Sequence, residues 1–252
     1  MLQTPVLTEQ NLKDYERDGF VIVRNAFNSE DMEKIEQWTV ELAELPEESG
    51  KQWVYHEQSK INPDEKLICR IEKTSPFHKG FAELAEVLKK PMAQIMGEEA
   101  ILFKEKVNFK MPGGDGFTPH QDQQAGWGYY TDYFLSALVC IDEATVENGC
   151  LKVVAGHQHD GLYTEWEPLT EENMATMEFV DCPTRPGDIV IFDCFTPHSS
   201  DPNMSDKIRR LYYATYNRAS DGDHLEQYYA DKYKNYPPDI DREKGKEYVF
   251  RV

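Results

Sequence analysis

The sequence predicts an α+β protein, an all-β core with a helical jacket, and three observations carry that prediction. Apolar residues recur at helical spacing, with capping signals, only before about residue 100. From Ala100 onward the chain changes to short β-branched and aromatic runs separated by Gly, Pro and Asp turns. No internal repeat, low-complexity linker or composition break divides the 252 residues. One domain over 1–252 is therefore expected, with N-terminal helices at about 8–45 and 81–96, the β body at about 100–218 and a C-terminal tail at 220–252.

Thr8 is the expected cap of a first helix that carries Leu12 and Tyr15, and Gly19 ends it. Phe20, Val21, Ile22 and Val23 form a compact strand-like run. Asn28 or Ser29 then opens a second helix with Met32, Ile35, Trp38 and Leu42 on one face. Residues 46–63 are polar and turn-rich, and no element is predicted there. Residues 81–96 make a third amphipathic helix, stopped by Gly97. Strand patterns follow at 101–111, 133–141, 150–154, 188–192 and 209–217. The tail after Ser220, rich in Tyr, Asp and Lys, reads as a helical or extended cover.

Composition excludes several classes of function. With 27 Lys+Arg against 46 Asp+Glu, the net charge of −19 repels phosphate backbones and anionic lipid, so neither nucleic acid nor a membrane surface is an expected partner. Hydrophobic residues at 40% and aromatic ones at 12% suffice for a core, which argues against disorder. No apolar stretch approaches the ~18 residues of a membrane span, and the first eight residues lack a signal-peptide pattern, so a cytoplasmic protein is expected. Five scattered cysteines without a C-x-x-C pair suggest reduced core fillers. In that context the sequon at Asn203 carries no weight.

The chemistry concentrates in Thr118-Pro119-His120-Gln121-Asp122. An imidazole and a carboxylate two residues apart on an extended strand point to one side and can reach one metal ion. Phe195-Thr196-Pro197-His198-Ser199-Ser200 supplies a second histidine after the strand pattern at 188–192. Two imidazoles and one carboxylate on one face suit non-haem Fe(II), because the opposite positions stay open. H-x-D alone is a weak signal, compatible with a surface turn or a hydrogen-bonded core histidine. Arg209 strengthens it: on the strand Arg209-Arg210-Leu211-Tyr212-Tyr213 it shares a face with Leu211 and Tyr213, and its fork can grip the far carboxylate of a dicarboxylic acid such as 2-oxoglutarate. Arg210 must point the other way. Without the triad, either arginine would read as a surface ion pair.

Taken in order, H-x-D, Glu147-Asn148-Gly149-Cys150-Leu151-Lys152-Val153-Val154-Ala155-Gly156-His157, Pro186-Gly187-Asp188-Ile189-Val190-Ile191-Phe192, and His198 with Asn203 and Arg209 resemble the phytanoyl-CoA dioxygenase family. Tyr15 and Asp18-Gly19-Phe20-Val21 resemble the family's start, so the likeness runs from about 8 to about 218. It implies a double-stranded β-helix, a jelly-roll or cupin-like barrel, and oxygenation dependent on Fe(II), 2-oxoglutarate and O₂, with ascorbate as a reductant. The family's iron ligands fall on His120, Asp122 and His198, and its 2-oxoglutarate-anchoring arginine falls on Arg209. Ser200 matches a position that helps to hold the same carboxylate, and Asn108 resembles a cosubstrate-contacting asparagine of ectoine hydroxylases. An aspartate at 122 implies hydroxylation, or a further oxidation such as desaturation, over halogenation, since related halogenases carry a small residue there. Ala155 departs from the commoner proline before glycine, which touches a turn and not the metal.

If Asn108 faces the cavity, Lys104 and Lys106 face it too, while Phe103, Glu105, Val107 and Phe109 face the helices. Buried lysines need anions, either 2-oxoglutarate or an acidic group of the primary substrate; the alternative puts them on the outer face in water. Gln123, Gln124 and Trp127 should line the mouth and suit a small polar or cationic compound. The segment is similar to family members that hydroxylate small zwitterions such as aminoalkylphosphonates; an acyl-CoA or natural-product hydroxylase and a non-catalytic sensor are the alternatives. A competing metal pair, His157 and His159 with Asp160, lacks a nearby arginine. His56, His78 and His224 have no partner pattern.

Overall fold

The computed structural model describes residues 1–249. Its elements are α1 (Glu9–Asp18), β1 (Phe20–Val23), α2 (Ser29–Glu44), β2 (Trp53–Gln58), β3 (Lys66–Glu72), α3 (Lys79–Met96), β4 (Ala100–Lys110), β5 (Phe117–His120), β6 (Leu135–Cys140), β7 (Leu151–Val153), α4 (Glu171–Met174), β8 (Val180–Cys182), β9 (Ile189–Asp193), β10 (His198–Ser200), β11 (Arg209–Arg218) and α5 (Leu225–Asn235). Two 3-10 turns, Asp122–Ala125 and Trp127–Tyr129, lie between β5 and β6.

Local chemistry sets the boundaries. The Thr8 side chain accepts from the Asn11 amide while Asn11 reaches back to Thr8, and Gly19 at φ 79° closes α1 in the left-handed region. Asn28 caps α2, and its amide oxygen accepts from the Asp31 amide at 3.0 Å. α3 starts two residues earlier than the apolar pattern suggests because the His78 ring accepts from the Gly80 amide and acts as its cap.

Seven antiparallel strands form the larger sheet, in the order β1-β9-β6-β11-β4-β3-β2, and β5-β10-β7-β8 form the smaller one. One face of the larger sheet, with Val107, Phe109, Ala137, Val139, Ile189, Ile191, Tyr212 and Ala214, packs on α2 and α3 through Ile35, Leu42, Phe81, Leu84, Leu88 and Met92. That is the helical jacket. The other face meets the smaller sheet through Leu138, Val190, Phe192 and Leu211 against Cys150, Leu151, Val153 and Cys182. This two-sheet body is the jelly-roll arrangement.

Two expectations are corrected. Residues 46–63 are not merely loop: β2 and β3 pair as a hairpin that extends the larger sheet beside β4. Phe103 does not face α2 and α3, because a bulge opposite Thr215 and Tyr216 on β11 inserts a residue and turns it toward Trp127, Phe134 and Tyr228. The tail folds as α5, whose buried Tyr228, Tyr229 and Lys232 close over the β2-β3-β4 end. The five cysteines are free, four of them buried. Among the described residues no helix is long and apolar enough to cross a membrane.

Candidate metal centre

His120 ends β5 and His198 opens β10, and these two residues are cross-strand partners in the smaller sheet. Antiparallel pairing therefore brings together two imidazoles far apart in sequence, with ring centroids 4.2 Å apart. In each ring Nδ1 donates to the carbonyl two residues back, of Thr118 at 2.7 Å and of Thr196 at 2.9 Å. That bond fixes the tautomer and leaves the Nε2 lone pair facing inward.

Asp122 reaches the same point by a different route from the expected strand. β5 stops at His120, because Gln121 turns the chain: its amide donates to the carbonyls of Gly161 and Phe195, both at 2.8 Å. Asp122 then starts the first 3-10 turn, with Oδ1 3.9 Å from His120 Nε2 and 3.8 Å from His198 Nε2. Its Oδ2 accepts from Ser136 Oγ at 3.0 Å, and that hydroxyl also meets Thr215 Oγ1 at 2.9 Å. One oxygen is thus anchored and the other left to a metal. Donor atoms of His120, Asp122 and His198 all lie within 4.8 Å of one another, a three-donor N, N, O set that fits Fe(II).

Burial and the adjacent His198 push His120 down to about 3, so the ring stays neutral, the form in which an imidazole can bind a metal. Burial pushes Asp122 up, but His198, His120, Lys106 and Lys104 outweigh it and keep the carboxyl ionised.

The floor of the surrounding cleft, about 490 Å³ with its open mouth, is ruled by cross-strand rows. Lys104 stands opposite Thr215, which stands opposite Ser136; Lys106 lies between Glu72 and Tyr213; Asn108 lies between Arg70 and Leu211; Lys110 faces Arg209. Lys104, Lys106, Asn108, Ser200 and Trp127 all line this cleft. Arg209, 1% exposed, lines an adjoining chamber that shares Asn108 and Phe117 with it. Burial pushes the Arg209 guanidinium down while the Tyr213 hydroxyl supports it, and its Nε has no hydrogen-bond partner. Among the described residues no carboxylate lies within 4 Å of it. A buried guanidinium in that state is a ready anion receptor. Arg210 points to the other face and grips Asp142, Nε to Oδ2 at 2.7 Å.

Two residues beside this anchor escaped the sequence reading. Lys110 donates to Ser200 Oγ at 2.7 Å, and burial and Arg209 push its amine down to about 7. It follows Lys104, Lys106 and Asn108 on the same alternation, which was the available signal. Arg70 lies on the unpredicted hairpin, where no signal singled it out.

The mouth residues divide. Gln124 and Trp127 line the entrance with Trp166, which fits against Gly126 so closely that a Cβ there would lie 2.0 Å from the indole. Gln123 does not line it: on the tight 3-10 turn it points the opposite way from Asp122, is buried, and donates to the Thr131 carbonyl at 3.3 Å. The competing pair does not assemble. His157 bonds Asp160 at 2.8 Å and Tyr163 at 3.0 Å, while His159 sits against Gln158.

Known proteins share this architecture. The crystal structure of EctD from S. alaskensis with 2-oxoglutarate and 5-hydroxyectoine superposes with a TM-score of 0.73 at 23% identity, over 85% of this chain and 77% of that one. A 2-aminoethylphosphonate dioxygenase from an uncultured bacterium is 35% identical over 246 residues, 96% of this chain and 93% of its own. A methylphosphonate hydroxylase of Gimesia maris is 32% identical over 234 residues, 91% of this chain and 88% of its own. Residues 15–211, which hold both histidines, Asp122 and Arg209, match the model of one family, and the chain belongs to it: the phytanoyl-CoA dioxygenase family.

Proposed function

We propose that the chain is a single-domain Fe(II)- and 2-oxoglutarate-dependent dioxygenase that hydroxylates a C–H bond of a small organophosphonate. The observation that carries this reading is the convergence of His120, Asp122 and His198 donor atoms within 4.8 Å. Bound iron with 2-oxoglutarate and O₂ supplies the oxidising chemistry, yielding succinate and CO₂ beside the hydroxylated product. His120 and His198 hold the metal through Nε2, and Ser136 keeps Asp122 turned toward it. Arg209, with Ser200 and Asn108 beside it, anchors the cosubstrate's distal carboxylate. Leu151, Phe192 and Trp127 line the cleft with apolar surface and keep water from it. The substrate class follows from the two relatives above, whose names specify phosphonates and which match over nearly the whole chain.

Anaerobic addition of Fe(II) and 2-oxoglutarate should produce a weak visible charge-transfer band that Asp122→Ala abolishes. Succinate release should then follow 2-aminoethylphosphonate or methylphosphonate in preference to amino acids or acyl thioesters. Coupled turnover confined to thioesters would contradict the assignment.

A further inference from the structure

We infer that Arg70, Lys104 and Lys106 form the seat of the substrate's phosphonate head, a second anion site next to the 2-oxoglutarate anchor at Arg209, with Arg70 standing between the two. The inference rests on the proposed reaction and adds the residues that choose its substrate. All three side chains line a recess that also exposes His120 and Asp122, so an anion held there places its neighbouring carbon beside the metal position.

The charges around this recess do not balance. Glu72 is the carboxylate nearest the lysines in the register, as cross-strand partner of Lys106. It is already engaged: both its oxygens accept from Lys232 Nζ, at 2.8 and 2.6 Å, and Arg70 Nε stands 3.1 Å away. Asp122 belongs to the metal. Among the described residues no carboxylate lies within 4 Å of Lys104 or Lys106. Aromatic rings position their amines without neutralising them. Lys104 Nζ lies 5.0 Å from the Trp127 centroid and 5.2 Å from that of Tyr228, and Lys106 Nζ lies 5.6 Å from Phe117 and 5.3 Å from Tyr213. Lys104 is buried and Lys106 half-buried, and burial pushes both amines down, Lys106 to about 7, so an anion from outside the chain is what holds the pair charged beside the guanidinium.

Shape selects which anion goes where. Arg209 offers one planar fork, which suits a planar carboxylate. The recess offers separate donors on neighbouring strands, Lys104 and Lys106 along β4 and Arg70 on β3, opposite Asn108. Two point donors and a fork, set apart on two strands, suit a tetrahedral head with three oxygens and up to two charges.

The test titrates 2-aminoethylphosphonate, methylphosphonate and inorganic phosphate calorimetrically into the anaerobic Fe(II)·2-oxoglutarate protein, and follows 2-oxoglutarate separately by its visible band. Lys104→Gln, Lys106→Gln and Arg70→Gln should each weaken phosphonate binding at least about tenfold, leave 2-oxoglutarate affinity within about twofold, and be partly rescued by Lys104→Arg and Arg70→Lys. Loss of 2-oxoglutarate affinity with phosphonate affinity unchanged would assign the lysines to the cosubstrate and overturn the inference. So would variants that bind both ligands like wild type while phosphonate turnover continues, which leaves the proposed function intact. Charge-dependent binding of phosphate and phosphonates without succinate release would support the seat and remove the proposed substrate. Failure of wild type to bind any of the three anions would overturn the seat.

Discussion

Ser136 shows how much the metal centre depends on groups that are not ligands. Its hydroxyl links Asp122 Oδ2 to Thr215 and is the donor that holds the carboxylate in place. Ser136→Ala should leave the fold intact and lower Fe(II) affinity by about 10- to 100-fold, read by anaerobic metal titration; wild-type affinity would mean that backbone geometry alone orients Asp122. At Arg209 the contrast with its neighbour is the informative experiment. Arg209→Ala should cost about 2–5 kcal/mol of 2-oxoglutarate binding. Arg210→Ala, whose guanidinium pairs with Asp142 on the helix-facing side, should leave that affinity unchanged; the reverse ranking would contradict the strand register. Residue patterns revealed His120, Asp122, His198 and Arg209 because each belongs to a spaced motif of unusual side chains. Ser136 was illegible: it sits in Leu135–Cys140, an unbroken buried run in which a serine reads as filler.

At the scale of elements, α5 joins the end of the chain to the site. Lys232, on its inner face, is fully buried against Glu72 of β3. Burial pushes the Glu72 carboxyl up, but Lys232, Arg70, Lys104 and Lys106 outweigh it and hold it well below the usual carboxylate range. Lys232→Ala leaves that carboxylate buried with a partner missing and should cost about 3–5 kcal/mol in a denaturant melt. Lys234→Ala, which removes a solvent-exposed pair with Asp231, should cost less than about 1 kcal/mol. Equal effects would show that α5 is held by its tyrosines and not by the ion pair. This element also marks where sequence reading stops. The long helices were legible by their repeated period, and β4, β6, β9 and β11 as sustained apolar, β-branched or alternating runs of five residues or more. β5, β8 and β10 have four or three residues, too few to establish alternation. The β2-β3 hairpin was lost for another reason: Trp53-Val54-Tyr55 is followed by the polar His56, Glu57 and Gln58, so its buried half is too short to stand out from the loops around it.

Over the whole molecule, charge is segregated in depth. The chain carries −19 overall, yet Arg70, Lys104, Lys106, Lys110 and Arg209 gather around the two adjoining cavities at the metal centre. An anionic substrate must cross a repulsive outer field before it meets an attractive interior. Salt acts unequally on the two: the screening length falls from about 30 Å at 0.01 M to about 10 Å at 0.1 M, which suppresses the long-range repulsion, while partly buried charges are screened much less. For a phosphonate substrate kcat/KM should therefore rise severalfold as an inert monovalent salt is raised from about 0.01 to 0.1 M, with kcat almost unchanged. Sulfate or phosphate at the same ionic strength should instead depress kcat/KM by competing for the cations. A steady fall of kcat/KM from the lowest salt upward, the same for every anion, would mean that the interior cations govern approach from a distance and that the acidic exterior exerts no barrier.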